Sequence, residues 1–534
     1  MKTRLSVFVI IFGIALGSQA SHIYVNGTVS GPWNVDTVFV SGDLNVENGN
    51  FLTINNGVLV LFTGHYQIRV DGQILAIGQV QDSIVFTVTD TTGFYNYETG
   101  DGSWNGFWFD HVAPVNDSSI FEYCKFEFGK ASLNPDSTKW YGGAICARQF
   151  DRMRISNCRF TNNRAYKNGG AVYALNTDLM VKNCNFEQNY CGQATLYGYG
   201  GGLCLEYSDA EILGNTFLQN SSTGVGGGLS FEYSDPRISG NGFYDNYSAI
   251  GGGLVCLRSA GNRSFVNNLF IGNEAYFFGG GVAVLETTIL FANNTISQNY
   301  SGAGGGLYFN ANSFSVFKNN IVWGNQDYGG GGPQVYIWDT FSAPEFYYCD
   351  IQGGPDQFGG TGGGAGFTGI YEDCLEDDPE FMGTGAHPFS LEETSICVNS
   401  GTPDTTGLSL PDLDFAGNAR LRNNRIDIGA YETQITTRLI ERNVGYFNIV
   451  VSPNPVEENS IIQLDVIESG HISFELLNLT GKMISGTMKR FFLPGRNSIP
   501  VRDLILQEYN PGYYFLKVWD SNHTETVKIL CFDH

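Results

Sequence analysis

The sequence predicts an all-β chain: a parallel β-helix of three-strand coils, each about 26 residues long, followed by a small C-terminal β-sandwich. Three observations predict it. Glycine supplies 69 of the 534 residues and only 15% are charged, so turns outweigh helices. A glycine block followed by apolar residues recurs at Gly142, Gly169, Gly200, Gly226, Gly251, Gly279 and Gly304, as in GGAIC, GGGLC and GGGLY. Between the blocks an apolar residue precedes an Asn, at Phe160, Phe186, Phe217, Phe243, Phe270, Ile296 and Ile321, advancing by 26, 31, 26, 27, 26 and 25 residues.

Residues 1–20 carry Lys2 and Arg4, an apolar run at 5–16, then Ser18 and Ala20. They read as a secretory signal peptide, because the run is shorter than the roughly 20 residues that span a bilayer. No later run has spanning length, so no transmembrane helix is expected in the mature chain. The β-helix is expected over 21–371, its first coils formed by alternating runs within 38–86 such as FVSGDLNV and QILAIG. Segments 88–106 and 131–140 interrupt the rhythm and are expected to project as loops, where binding determinants most often sit.

Within the repeats alternate residues face inward and successive coils pair about 4.8 Å apart, so equal phases stack into columns. One core column is read as Cys146, Tyr173, Leu205, Phe231, Cys256, Val284 and Phe309. A second, Asn163, Asn189, Asn220, Asn246, Asn273, Asn299 and Asn325, is read as an amide ladder whose members also tolerate left-handed turns. Cys124, Cys158, Cys184 and Cys349 share a phase with Asn215, Asn241, Asn268, Asn294 and Asn319. This interchange reads first as a small ladder residue and second as an inter-rung disulfide between Cys158 and Cys184. The eleven cysteines include no C-x-x-C, which gives zinc no ligand set.

Residues 372–432 change in composition. Asp427, Ile428 and Gly429 before Ala430 and Tyr431 read as a final strand and tight turn capping the open end. Asp377 and Asp378 read first as solvated loop acids and second as Ca²⁺ ligands; no other cofactor and no other metal is expected. A polar linker at 433–444 leads to 445–534, about seven short strands at sandwich spacing.

With 29 Lys and Arg against 53 Asp and Glu the chain has a net charge of −24, which excludes nucleic acid and anionic membrane surfaces as partners. For catalysis the candidate is EYSD, at 206–209 and again at 232–235. Stacking would set Glu206 and Asp209 against Glu232 and Asp235, with Arg258 at the phase of Tyr207 and Tyr233. Carboxylates one rung apart suit a retaining glycosidase or a Ca²⁺-assisted lyase. Duplication of a coil copies its surface acids whatever they do, and that reading is adopted. The run WFDH at 108–111 looks like one found in pectate lyases, without the acids and arginine that should accompany it. No Ser, His and Asp grouping supports nucleophilic hydrolysis.

Over about 23–352 the glycine block and the FxxN motif resemble right-handed parallel β-helix repeat proteins and are similar to the repeat of chlamydial polymorphic outer-membrane proteins. The run DPEF at 378–381, SIC at 395–397 and LPDLDFAGNARLRNNRIDIGAYE at 410–432 resemble the closing, choice-of-anchor-like segment of secreted bacterial β-helix proteins. Ser452, Pro453, Asn454, Pro455, Leu479, Gly481, Lys482, Gly512, Tyr513 and Lys528 resemble the C-terminal sorting domain of type IX secretion. That resemblance implies export across an outer membrane, a secreted or surface location, and the export machinery as partner. The chain is therefore read as a non-catalytic β-helix that binds other cells, matrix or glycans. The alternative is a polysaccharide lyase or glycoside hydrolase on the same scaffold.

Overall fold

The computed structural model describes residues 21–420, 425–434 and, further on, 447–531 apart from 455, 457–459, 467–468, 479–480, 485, 505–511 and 521–523. The segment 1–20 expected to be a signal peptide, most of the expected linker at 433–444, Pro455 and Leu479 lie outside the described residues. The chain divides into two compact units, Met1–Gln434 and Ile435–His534.

The first unit is a stack of coils joined entirely by parallel pairing. One coil runs Leu203–Glu206, Glu211–Leu213, Thr216–Leu218 and Ser221–Ser222, and the next runs Leu229–Glu232, Arg237–Ser239, Gly242–Tyr244 and Tyr247–Ile250. Each coil from Lys130–Ala131 onward that carries a glycine block thus has three longer strands and, before the block, a short fourth. Each corner of these two coils contains one residue with positive φ: Tyr207, Gly214, Gln219 and Gly226 in the first, then Tyr233, Gly240, Asp245 and Gly251. The blocks are glycine because backbone passes close by. A Cβ on Gly227 would stand 2.4 Å from the carbonyl oxygen of Gly252, and Gly226 has φ +66°.

Inside, like side chains stack. Phe126, Phe160, Phe186, Phe217, Phe243 and Phe270 form a continuous pile with centroids 4.6–4.9 Å apart. At the next corner Asn163, Asn189, Asn220, Asn246, Asn273, Asn299 and Asn325 are linked Nδ2 to Oδ1 at 2.8–3.0 Å. Each Nδ2 also donates to a carbonyl of the preceding coil, as Asn220 does to Phe186 at 2.8 Å, so buried amides are fully used. The ladder ends on Gln334 Oε1, which accepts from Asn325 Nδ2 at 2.7 Å. The left-handed residue of this corner is not the ladder Asn but the one before it, such as Asn162, Gln188 or Gln219. An inward amide needs extended backbone there.

Three further expectations are corrected. The inward column of the first strand is Ala147, Ala174, Leu205, Phe231, Cys256, Val284 and Phe309. Cys146 and Tyr173 stand one residue earlier, in register with Cys204, and face outward under Tyr141 and Tyr199. A one-residue slip reverses the face of a strand. In the second ladder the partner of Asn294 is Asn320, at 2.9 Å, whereas Asn319 is the left-handed residue beside it. Cys158 and Cys184 are free thiols. Cys184 Sγ faces the amide of Cys158 at 3.4 Å, taking the place of an Asn oxygen instead of meeting the other sulfur.

The end of the stack is closed by residues 355–375, where Phe358 packs edge-on against Phe346 and Ile370–Glu372 adds the last rung. The closing segment does not cap that end. It lies along the flank: Asn267 donates to Leu413, Asn293 to Asp427 and Gly429, and Thr402 donates its amide to Asn319 Oδ1 at 2.6 Å. These three asparagines are the outward-pointing corner residues of successive coils, and their carboxamides need partners. Inside the clasp Arg420, only 2% exposed, lies 3.6 Å from Glu432 and donates to the carbonyls of Gly429 and Ala430.

The second unit is an antiparallel sandwich. One sheet orders Phe447–Ser452, Ile461–Val466 and Gly495–Pro500; the other orders Met488–Phe492, Gly470–Leu477, Gly512–Trp519 and Thr524–Cys531. Ile462, Leu464, Phe474, Leu516 and Val518 fill the space between.

Candidate functional site

The first strands and the turns after them carry the EYSD acids. Glu206 and Glu232 are register partners on adjacent rungs, and Tyr207 and Tyr233 stack at 4.9 Å, so the sequence periodicity does bring these residues together. Their hydrogen bonds show what they do. Glu206 accepts from the Tyr173 hydroxyl at 2.8 Å and from Asn168 Nδ2 at 2.7 Å. Glu232 is bonded to Arg258, whose guanidinium also lies 3.4 Å from Glu286 and over the Tyr233 ring. Asp209 Oδ1 accepts the amide of Asp235 at 2.6 Å, and Asp178 Oδ1 accepts that of Asp209 at 2.7 Å. The aspartates form a column that links coil to coil just before the second strand, each carboxylate accepting the amide of the next coil's aspartate.

The WFDH run is split by the strand's alternation. Trp108 is buried against Cys146 and Arg148, while Asp110 and His111 pair at 2.7 Å at an exposed turn. Asp378 caps the amide of Glu380 at 2.9 Å. Among the described residues no three His, Cys, Asp or Glu side chains converge as a metal site.

No motif marks a second constellation. His65 borders a cleft of about 570 Å³ with Asp90, Asp101 and Ser103. Ser103 Oγ donates to the Gly100 carbonyl at 2.7 Å, so it accepts from His65 Nδ1 at 3.0 Å. Nε2 is then left to accept from Ser132 Oγ at 3.2 Å. A nucleophile, a base and an orienting group have this connectivity. Burial and the Lys130 charge, however, push the imidazole down to about 4, which makes it a weak base and disfavours an imidazolium. The chain of bonds serves to tie down loops. Lys130 Nζ does the same, donating to the carbonyls of Phe94, Asn96 and Asp101 at 2.7–3.1 Å, and Arg164 lies against the rings of Phe94, Tyr95, Tyr97 and Tyr190. The segment 88–106 is therefore strapped to the stack by these contacts, while rings such as Tyr95 stay exposed on it.

In the second unit the proposed sorting residues gather at one edge. Asn454 Oδ1 accepts the amide of Leu530 at 2.9 Å, its Nδ2 donates to the Lys528 carbonyl, and Lys528 Nζ sits 3.8 Å from the centroid of Tyr513. Pro453 accepts from Ser460 Oγ at 2.9 Å, and Gly512 opens the strand paired with the last one.

Comparison with known proteins agrees with this division. A family model described as a right-handed β-helix region matches residues 115–289 and 193–351, and one described as a secretion system C-terminal sorting domain matches 450–531. No curated protein matches the chain. Among solved structures, the enzymatically active domain of tailspike protein 4 from bacteriophage CBA120 aligns at 10% identity and a TM-score of 0.16, over 93% of this chain and 62% of that one.

Proposed function

Because the chain is a right-handed β-helix protein exported by type IX secretion to the cell surface or extracellular space, we propose that it is a binding protein whose rigid flank holds a glycan or a matrix or cell-surface ligand without transforming it. The sorting domain implies the secretion machinery as its partner during export. The observation that carries the reading is the commitment of the EYSD acids: Glu206 to Tyr173 and Asn168, Glu232 to Arg258. An acid and base pair must exchange protons with a ligand, whereas both oxygens of Glu206 and one of Glu232 are already occupied by donors from their own stack. Exposed rings such as Tyr207 and Tyr233 meanwhile offer apolar faces with polar tips.

One observation favours a second reading, a glycan-cleaving enzyme. Register places Glu206 and Glu232 one rung apart, near the roughly 5 Å spacing of retaining glycosidases. The mature chain incubated with a panel of polysaccharides, with and without Ca²⁺, separates the two. Retention without new reducing ends or unsaturated products is the expected result. Product formation that Glu232→Ala abolishes would establish the enzyme instead.

A further inference from the structure

The fourth strands of the later coils carry an aromatic strip that none of the sequence motifs marks. Tyr247, Glu274, Tyr300 and Gln326 share one outward column. Between Ala275 and Phe278 the register breaks, and the inserted Tyr276 and Phe277 bulge outward with their rings 4.7 Å apart. Tyr328 reaches back across Gly302 to bond the Tyr276 carbonyl. Only glycine permits this, since a Cβ at 302 would stand 2.5 Å from the Phe277 carbonyl oxygen and 3.0 Å from the Tyr328 hydroxyl. Round the corner the strip continues, because Phe278 stacks on Tyr308 at 4.7 Å and meets Trp338 edge-on at 5.3 Å. Tyr276 is 57% exposed, Phe277 48%, Tyr328 55% and Trp338 47%, so a rigid row of rings faces solvent over several rungs.

Burying so many rings elsewhere in the fold and leaving these outside marks an interaction surface. Its charge identifies the occupant. Lys318 is the one Lys or Arg between Arg263 and Arg420 in the sequence, and it lies on a second strand over the Tyr347 ring. The strip itself carries Glu274, Asp327 and Asp339. Uronate or sulfated chains are held by paired cations, which this face lacks among the described residues, since Arg258 is already paired with Glu232 and Glu286, and its carboxylates would repel them. Rings with hydroxyl tips, spaced by the rung repeat of about 4.8 Å, instead suit the apolar C–H faces and hydroxyls of successive uncharged pyranose units.

We infer that the strip formed by Tyr247, Tyr276, Phe277, Tyr300, Tyr328 and Trp338 is a platform for a neutral polysaccharide lying along the stack. The inference rests on the binding function proposed above and narrows it to one face and one ligand class.

Affinity electrophoresis of the mature full chain tests it, in gels containing neutral polymers (mannan, xyloglucan, mixed-linkage glucan) or acidic ones (polygalacturonate, alginate). Retardation by at least one neutral polymer is expected, unchanged by added salt because no ion pair is made. Trp338→Ala and Phe277→Ala should each weaken it roughly tenfold, while Phe51→Ala, which removes an exposed ring from an early coil outside the strip, leaves it intact. Tyr276→Ala and Tyr300→Ala remove exposed rings without touching the core, and carry the test should Trp338→Ala fail to fold. Retardation by acidic polymers alone, or neutral binding indifferent to all strip variants, overturns this inference and leaves glycan binding standing. Retardation by no polymer overturns the inference together with the glycan part of the proposed function. A dimer in light scattering that the same variants dissolve overturns it in favour of self-association.

Discussion

Asn220 Nδ2 lies 3.0 Å from Asn246 Oδ1, and that same oxygen accepts the backbone amide of Asn220 at 2.9 Å. One carboxamide thus satisfies two buried donors of its neighbour and passes its own protons to Asn273 and to the Phe217 carbonyl. Asn246→Ala takes this partner from both Asn220 donors and the Phe217 carbonyl, leaving Asn273 Oδ1 only the backbone amide of residue 246, and should cost about 3 kcal/mol in urea denaturation. Asn246→Cys should recover part of the loss, since thiols serve in the sister ladder.

The sister ladder makes the converse prediction. Cys184 Sγ takes the Cys158 amide at 3.4 Å, longer than the 2.8 Å bond from the Cys184 amide to Asn215. Cys184→Asn should be neutral or stabilising by up to about 1 kcal/mol. The native thiols should resist alkylation until the chain unfolds, because burial raises Cys158 and Cys184 well above the usual thiol range.

The two EYSD glutamates should behave differently. Removing Glu206 leaves the Tyr173 hydroxyl and buried Asn168 without their acceptor, so Glu206→Ala should cost about 1–2 kcal/mol in thermal unfolding. Glu232 sits beside a half-exposed Arg258 that retains Glu286, so Glu232→Ala should cost under about 1 kcal/mol. Equal and large losses of a polysaccharide-cleaving activity in both would contradict this assignment.

Burial, reinforced by Asp427, raises Glu432 from 4.5 to about 8, against the pull of Arg420. The folded chain therefore binds a proton that the unfolded chain has released, and stability falls as pH rises from about 4.5 through about 8. Asp350, raised to about 7 by burial, acts in the same direction. The melting temperature should be higher at pH 5.5 than at pH 8.5, measured at roughly constant salt, and Glu432→Gln should flatten part of that slope.

Lys130 holds three carbonyls of the segment 88–106 and has no acidic side chain among those contacts. Lys130→Met should leave the coils intact but speed amide exchange across that segment at least tenfold, read by mass spectrometry.

The repeat was legible because period and chemistry coincide: an Asn or Phe that must stack on its own kind recurs at one phase, as Asn220, Asn246 and Asn273 do. Face was less legible. Cys146 and Tyr173 look as apolar as Ala147 and Ala174, and only register shows that the former point outward under Tyr141 and Tyr199. The EYSD acids were found by spacing, but their occupancy was not, since Tyr173 and Asn168 come from the preceding coil. The same holds for the aromatic strip, whose rings converge from five coils, one of them with a bulge that no motif announces.

By itself the sequence determined the coil, its ladders and the presence of a separate export domain, because each depends on residues repeated or clustered locally. Tertiary structure decided which acids are free, where residues 378–432 lie and which rings face water. Those outcomes turn on contacts between segments up to 153 residues apart, such as Arg420 with Asn267, and the energy of such contacts exists only once the coils have stacked.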